Sequence, residues 1–369
     1  MGVPYVIEFK NDTGFLHSNY RNSFPKRSDD VALIIYLNRA KNSQAKNSHV
    51  SRLLLLDALY RERFHTVIFS AVNLTSSIPA NWTSILKRTV DCPTSSEASI
   101  PAYRCAVTAA KRFPSSTGYL FSHFDVLLDL DEVVKLNTSK IWVPPPARSF
   151  ILACPGNAEE TRLVSSSKPA ARAFEDRPCH FEPVPDDGWP YKPGKKEVQA
   201  YMELPKDILA ARTYAAARCR NASTAPHCNG QRQRRDALDS FPAGFSDLYY
   251  IPSYMLHRFD EVSRVFERNG VFLEVALPLI LESLAMVSER LQYIPGQSRA
   301  LCANGYCKGT KQWKLLGSNH VAYVHPFPFQ DHEACAASLN LIPYHLRSGI
   351  ETTCSPPAKE RGREIKEAL

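Results

Sequence analysis

The sequence predicts an α/β fold, with a mostly parallel central sheet and helices on both faces. Three observations support this. Val31–Leu37 (VALIIYL) is a continuous apolar run with β-branched residues, which suits a strand covered on both sides, and His65–Ala71 (HTVIFSA) reads as a second buried strand. The segment between them has helical spacing, with Leu53, Leu56, Tyr60 and Phe64 on one side. The chain has 369 residues, 44% hydrophobic and 22% charged, so it can bury a sizeable core in one large domain or two smaller ones.

The elements follow in order. The first 28 residues are polar and turn-rich and read as a stem or peripheral arm. Ser48 or Ser51 caps the first helix, which runs to about Phe64. Strand, helix and strand make a βαβ unit, which is right-handed and presents ligands at the carboxyl ends of its strands. Pro101 opens a helix through Arg112, and Gly118–Phe121 starts a third strand that delivers Ser122, His123, Phe124 and Asp125 at its end. Lys140–Val143 is a short strand stopped by three prolines. Residues 151–240 read as loops around one or two short helices near Tyr201–Arg218, with a basic loop at Gln231–Arg235. Leu248–Ile251 is strand-like, with Tyr249 and Tyr250 alternating so that one is free to stack on a sugar while the other packs. Tyr254–Arg268 is an amphipathic helix stopped by Gly270, and Pro278 opens the main helix of the apolar stretch Val271–Leu291. Val321–Val324 is a late strand ending at His325.

Net charge is +8, but the basic residues are scattered, which argues against a nucleic-acid partner. No apolar run is long enough to span a bilayer, and Met1–Pro25 does not have the pattern of a signal peptide. Ten cysteines without C-x-x-C knuckles, together with sequons at Asn11, Asn73, Asn81, Asn137 and Asn221, point to an oxidising, glycosylating compartment. The expectation is therefore a secretory-pathway lumen, with any membrane attachment through an upstream anchor that this chain lacks. Cys92 with Cys105, Cys219 with Cys228 and Cys302 with Cys307 are reasonable pairs, although sequence does not determine connectivity.

Asp125 is the most informative residue. A carboxylate at the end of a buried strand binds a divalent cation, or else it is a solvated strand end or helix cap, and spacing alone favours the plainer reading. Glu274 sits among Phe272, Leu273, Val275 and Ala276, where burial suits a general base and equally suits a structural cap. Asp247 follows Gly244 and Ser246 and reads as a turn aspartate or a substrate contact. His325 taken alone is a satisfied strand-end histidine. No G-x-S-x-G elbow, Walker loop, G-x-G-x-x-G or H-E-x-x-H occurs, so hydrolase, P-loop, Rossmann and zincin readings lack their signatures.

The order GYLFSHFD, GFSDLYYIP, FLEVALP and a late strand ending in His325-Pro326 resembles glycosyltransferases of the GT-A fold, over roughly Asp30 to Tyr344. An exostosin-like or related Golgi-type group is the nearest subfamily. The resemblance implies a glycosyltransferase domain at 29–345, between the arm at 1–28 and a tail at 346–369. Within it, 29–150 is a nucleotide-binding half, 151–240 a loop-rich insertion and 241–345 an acceptor half. It implies a nucleotide-sugar donor, UDP-linked, a glycan or glycoprotein acceptor, and Mn²⁺ or Mg²⁺ on the diphosphate. Asn38, Arg39, His123 and Asp125 would then hold the donor, Asp125 and His325 the metal, Asp247 the sugar, and Glu274 the acceptor. Inversion and retention both stay open. The family's D-x-D pattern reads His123-Phe124-Asp125 here, so the first acid is a histidine that either joins the metal or donates to a phosphate or ribose oxygen. The basic residue expected after His325 is absent from Pro326–Phe329. The same departure fits a non-catalytic member that binds glycan or nucleotide sugar.

Overall fold

The computed structural model describes residues 28–37, 43–92, 101–144, 148–153, 180–181, 194–212, 237–243, 246–288, 291–294, 297–298, 322–325, 327, 332–339, 341–342 and 347. The strands are β1 (Ser28–Tyr36), β2 (Phe64–Ala71), β3 (Thr89–Asp91), β4 (Gly118–His123), β5 (Leu127–Leu128), β6 (Ile141–Val143) and β7 (Arg148–Ala153). They continue with β8 (His180–Phe181), β9 (Ala237–Ala243), β10 (Leu248–Pro252), β11 (Leu291–Tyr293), β12 (Gln297–Ser298) and β13 (Tyr323–His325). The main sheet has seven strands in the order β11-β6-β10-β4-β1-β2-β3. β3, β2, β1 and β4 are parallel, β6 and β11 are parallel to each other, and β10 runs antiparallel to both its neighbours.

Period-two burial builds the two layers. On β1, Ala32, Ile34 and Tyr36 face one core, and Val31, Leu33 and Ile35 face the other. The first core is covered by the helices Pro101–Arg112, Leu256–Arg268 and Leu273–Ser288. The second is covered by the helix Ser43–Tyr60. A sheet buried on both sides needs no alternation of polar residues, which is why its strands read as continuous apolar runs.

Two links fasten the first helical layer. Cys92 at the end of β3 is bonded to Cys105 in the Pro101–Arg112 helix, with Cα atoms 4.9 Å apart, as expected for that pair. The buried Asp260 carboxylate accepts from Arg104, from Lys111 Nζ at 2.6 Å and from Arg264 Nη2 at 3.0 Å. Arg104 also pairs with Glu267 at 3.0 Å, so the Leu256–Arg268 helix runs antiparallel to the Pro101–Arg112 helix. That direction brings the chain back to the carboxyl end of the sheet before Glu274.

The chain goes from β1 to β2 and β3 on one side, then crosses back to place β4 on the other side of β1. Strand order reverses there, which opens a crevice at the carboxyl ends of β1 and β4.

Four local expectations are corrected. The first helix starts at Ser43, ahead of both Ser48 and Ser51, and ends at Tyr60, while Phe64 opens β2. Pro278 does not open the last long helix, which begins at Leu273 and carries Pro278 inside. The missing N–H at such a site costs about 3 kcal/mol. Buried Val275, Leu277, Leu279 and Ile280 each return about 1.5–3 kcal/mol, so packing wins. Residues 151–240 are not loops and helices alone, because β7 pairs antiparallel with both β8 and β9. Pro242 argues locally against a strand, but β9 lies at the edge of that sheet, where proline is tolerated. Neither Tyr249 nor Tyr250 is open to a sugar. Both are buried, with Tyr249 stacked on Phe121 at 4.6 Å and Tyr250 on Trp142 at 4.0 Å.

Candidate functional site

Four side chains from three distant stretches of sequence meet at the crevice. β4 supplies His123 at its last position, in register with Tyr36 of β1. The Phe124 N–H still donates to the Tyr36 carbonyl at 3.0 Å, and Val126 N–H donates back to the His123 carbonyl at 3.1 Å. This tight turn projects Asp125 just beyond the strand.

β10 enters the sheet where β4 leaves it, because the pair is antiparallel. The His123 N–H donates to the Asp247 carbonyl at 2.7 Å, which sets Asp247 beside His123. β13 arrives by another route. It pairs antiparallel with β5, which directly follows Asp125, and the Phe327 N–H donates to the Asp125 carbonyl at 2.6 Å. His325 is thereby carried to Asp125 across the chain.

The distances are short. His123 Nδ1 lies 2.8 Å from Asp125 Oδ1, and His325 Nε2 lies 3.5 Å from the same oxygen. His325 Nδ1 is 3.5 Å from Asp247 Oδ2, and His123 Nδ1 is 4.0 Å from Asp247 Oδ1. Donor atoms of His123, Asp125 and His325 all fall within 4.8 Å of one another. Their side chains are 11%, 26% and 12% exposed, so a small solute can still reach Asp125. Burial pushes the Asp125 carboxyl up, but the hydrogen bonds and charge of His123 and His325 outweigh it and hold the group well below the usual carboxylate range.

Two neighbours shape the surroundings. The Tyr36 ring lies 5.7 Å from the His123 ring, and burial pushes its phenol up to about 12. Arg52, on the Ser43–Tyr60 helix, holds its guanidinium 5.9 Å over the Phe124 ring. Burial pulls the Arg52 pKa down, and the charge of Asp125 opposes that shift. Arg52 is a cation that the sequence reading missed. It stands just before the run Leu53–Leu56, with no local mark to separate it from any helix-surface arginine.

The donor set fits a divalent metal, since two imidazoles and a carboxylate present three ligand atoms to one point and Asp247 adds a second carboxylate beside them. Glu274 stands outside this group. It is half-buried in the first turn of the Leu273–Ser288 helix, among residues that belong to the core on the Tyr36 and Tyr249 side of the sheet. Asn38 and Arg39 lie outside the described residues, although Leu37 just before them is buried and donates to the Ser70 carbonyl at 2.9 Å.

No family model matches the chain, and no curated protein matches it. Among solved structures it is similar to WbbM, a bifunctional glycosyltransferase in its apo form. The identity is 11%, over 89% of this chain and 52% of that one, with a TM-score of 0.36. The chain thus spans about half the length of that protein, and a likeness this loose carries no argument. The fold rests on its own strand order, α/β with a mostly parallel sheet and helices on both faces. Among the described residues no helix is long and apolar enough to cross a membrane.

Proposed function

We propose that the chain is a metal-dependent glycosyltransferase, moving a sugar from a nucleotide-sugar donor, UDP-linked, to a glycan or glycoprotein acceptor. The observation that supports this most is the convergence of His123, Asp125, Asp247 and His325 where strand order reverses. In this reading 29–150 is the nucleotide-binding half, 241–345 the acceptor half, and 151–240 an insertion between them.

Asp125 and His325 would hold a divalent cation, with His123 completing the set; the family resemblance names Mn²⁺ or Mg²⁺, and the two imidazoles favour Mn²⁺ of that pair. Bound there, such a cation supplies the positive charge that a diphosphate needs beside two carboxylates. Arg52 adds a second positive charge on the helix side of Asp125. That replaces the basic residue missing after His325. In this reading Asn38 and Arg39, next in sequence after β1, would bind the nucleotide. Asp247 orients the sugar or the imidazole of His325. Glu274 opens its helix at the same end of the sheet, where it takes the proton of an acceptor hydroxyl if the reaction inverts. The buried disulfide and the exposed sequons Asn73, Asn81 and Asn137 favour a Golgi or other secretory-pathway lumen.

Calorimetric titration of UDP-sugars, with and without Mn²⁺, tests the reading alongside turnover. Asp125→Asn keeps the size and removes the charge, so metal-dependent donor binding and transfer are both lost. Glu274→Gln keeps donor and metal binding and loses turnover. Donor binding that is metal-independent and unchanged in Asp125→Asn refutes the site. A well-folded parent that binds nucleotide sugar without transferring it would be the non-catalytic member.

A further inference from the structure

We infer that His123 and His325 make this centre selective for borderline transition cations, Co²⁺ and Zn²⁺ above Mn²⁺, and set against Mg²⁺. We also infer that the centre takes up such a cation before any nucleotide arrives. The inference rests on the cluster being a metal centre, as proposed above, and not on the reaction being glycosyl transfer.

Donor chemistry is the first argument. Mg²⁺ is hard, demands near-ideal octahedral oxygen ligation and dehydrates reluctantly. Imidazole suits zinc, copper, iron and nickel, and affinity at nitrogen and oxygen sites rises from Mn²⁺ through Fe²⁺ to Co²⁺. An aspartate at position 123 would leave one imidazole among carboxylates. The histidine there makes two, both directed at Asp125 Oδ1, at 2.8 Å and 3.5 Å. Two ligands of one cation, each about 2.0–2.2 Å from it, are separated by such distances at right-angled to tetrahedral openings.

The arrangement of His325 is the second argument. Its Nε2 faces Asp125, while its Nδ1 lies 3.5 Å from Asp247 Oδ2. Closed to hydrogen-bond distance, a carboxylate behind an imidazole fixes the ring and its tautomer and raises the basicity of the ligating nitrogen. Asp247 is therefore a positioning residue for His325. Charge is the third argument. Asp125 and Asp247 together balance a dication, so phosphate oxygens are not required to complete neutrality.

The test titrates the metal-free chain with CoCl₂, ZnCl₂, MnCl₂ and MgCl₂ separately, without nucleotide, and follows Co²⁺ by its visible absorption. The parent binds one Co²⁺ or Zn²⁺ far more tightly than Mg²⁺. In His123→Asp the ratio of Co²⁺ to Mg²⁺ affinity falls by at least about tenfold, the size of effect that losing one outer partner already has. His325→Gln weakens Co²⁺ and alters its spectrum, and circular dichroism checks that each variant is folded. Parent Mg²⁺ affinity equal to that for Co²⁺ overturns the inference. So does Co²⁺ binding that neither variant changes, which would place the cation elsewhere. If Co²⁺ binds as expected and no nucleotide sugar adds to it, the transfer reading falls and this inference stands. If nucleotide sugars bind as well with Mg²⁺ as with Co²⁺, the reverse holds.

Discussion

Removing the Cys92–Cys105 bridge, as Cys92→Ala with Cys105→Ala, should destabilise the protein by about 3–4 kcal/mol. The bridged residues are 13 apart in sequence, and closing a loop of that size removes unfolded-state entropy worth about 3 kcal/mol at 25 °C. Both cysteines are buried, Cys105 completely, so truncation also leaves two small cavities worth a further ~1 kcal/mol. Against a typical total of about 5–15 kcal/mol this is a large loss. It falls on the helix that leads into β4 and so into His123 and Asp125. Guanidinium unfolding of the parent, oxidised and reduced, beside the double variant measures it, with the midpoint read at constant slope. Thiol labelling of the unreduced parent runs in parallel. A midpoint shift worth less than about 1 kcal/mol would refute the entropic argument, since that is below the effect of even a short loop. Free labelling of both thiols would refute the bridge itself, and with it the main structural support for an oxidising compartment.

Three further outcomes follow from particular contacts. Asp260→Asn removes the charge that holds Arg104, Lys111 and Arg264, and loses about 1–3 kcal/mol at neutral pH. Its three cationic partners keep the Asp260 carboxyl below its unfolded value of roughly 3.9. This stabilisation is therefore complete above about pH 5 and is lost as pH falls toward the folded pKa, so unfolding curves of parent and variant converge on acidification. A Cβ at Gly118 would overlap the Tyr250 phenol, which is pinned by stacking on Trp142 and by donating to the Thr138 carbonyl at 3.0 Å. Gly118→Ala is thus destabilising by roughly 1–3 kcal/mol in chemical denaturation, and an unchanged midpoint would show that the ring moves freely. Arg52→Gln weakens nucleotide-sugar binding about tenfold or more, as loss of a charge-assisted contact does, while cobalt still binds with no loss of affinity. Equal donor affinity in calorimetry would remove Arg52 from the site.

The sequence by itself determined the fold class and, to within a residue, where β1 and β2 end and β4 and β10 begin. VALIIYL and the VIF centre of HTVIFSA read as strands because a sheet covered on both faces takes apolar residues at successive positions. Asp125 stood out because a carboxylate past a buried strand has few structural uses, and its neighbour His123 came with it. What lay in non-local pairing was not legible in the residues themselves, and Asp247 and His325 joined Asp125 only through the family resemblance. β10 sets Asp247 beside His123 only because it runs antiparallel to β4. His325 reaches Asp125 only because β13 pairs with β5. The β7–β9 pair joins segments about ninety residues apart, and Pro242 hides it locally. Arg52 had no signal, since its meaning comes from Phe124 and Asp125 beneath it. Periodicity reports which face of an element is buried, because burial is a local demand on each side chain. Which elements then meet is decided by sheet order and strand direction, and those are properties of the packed whole.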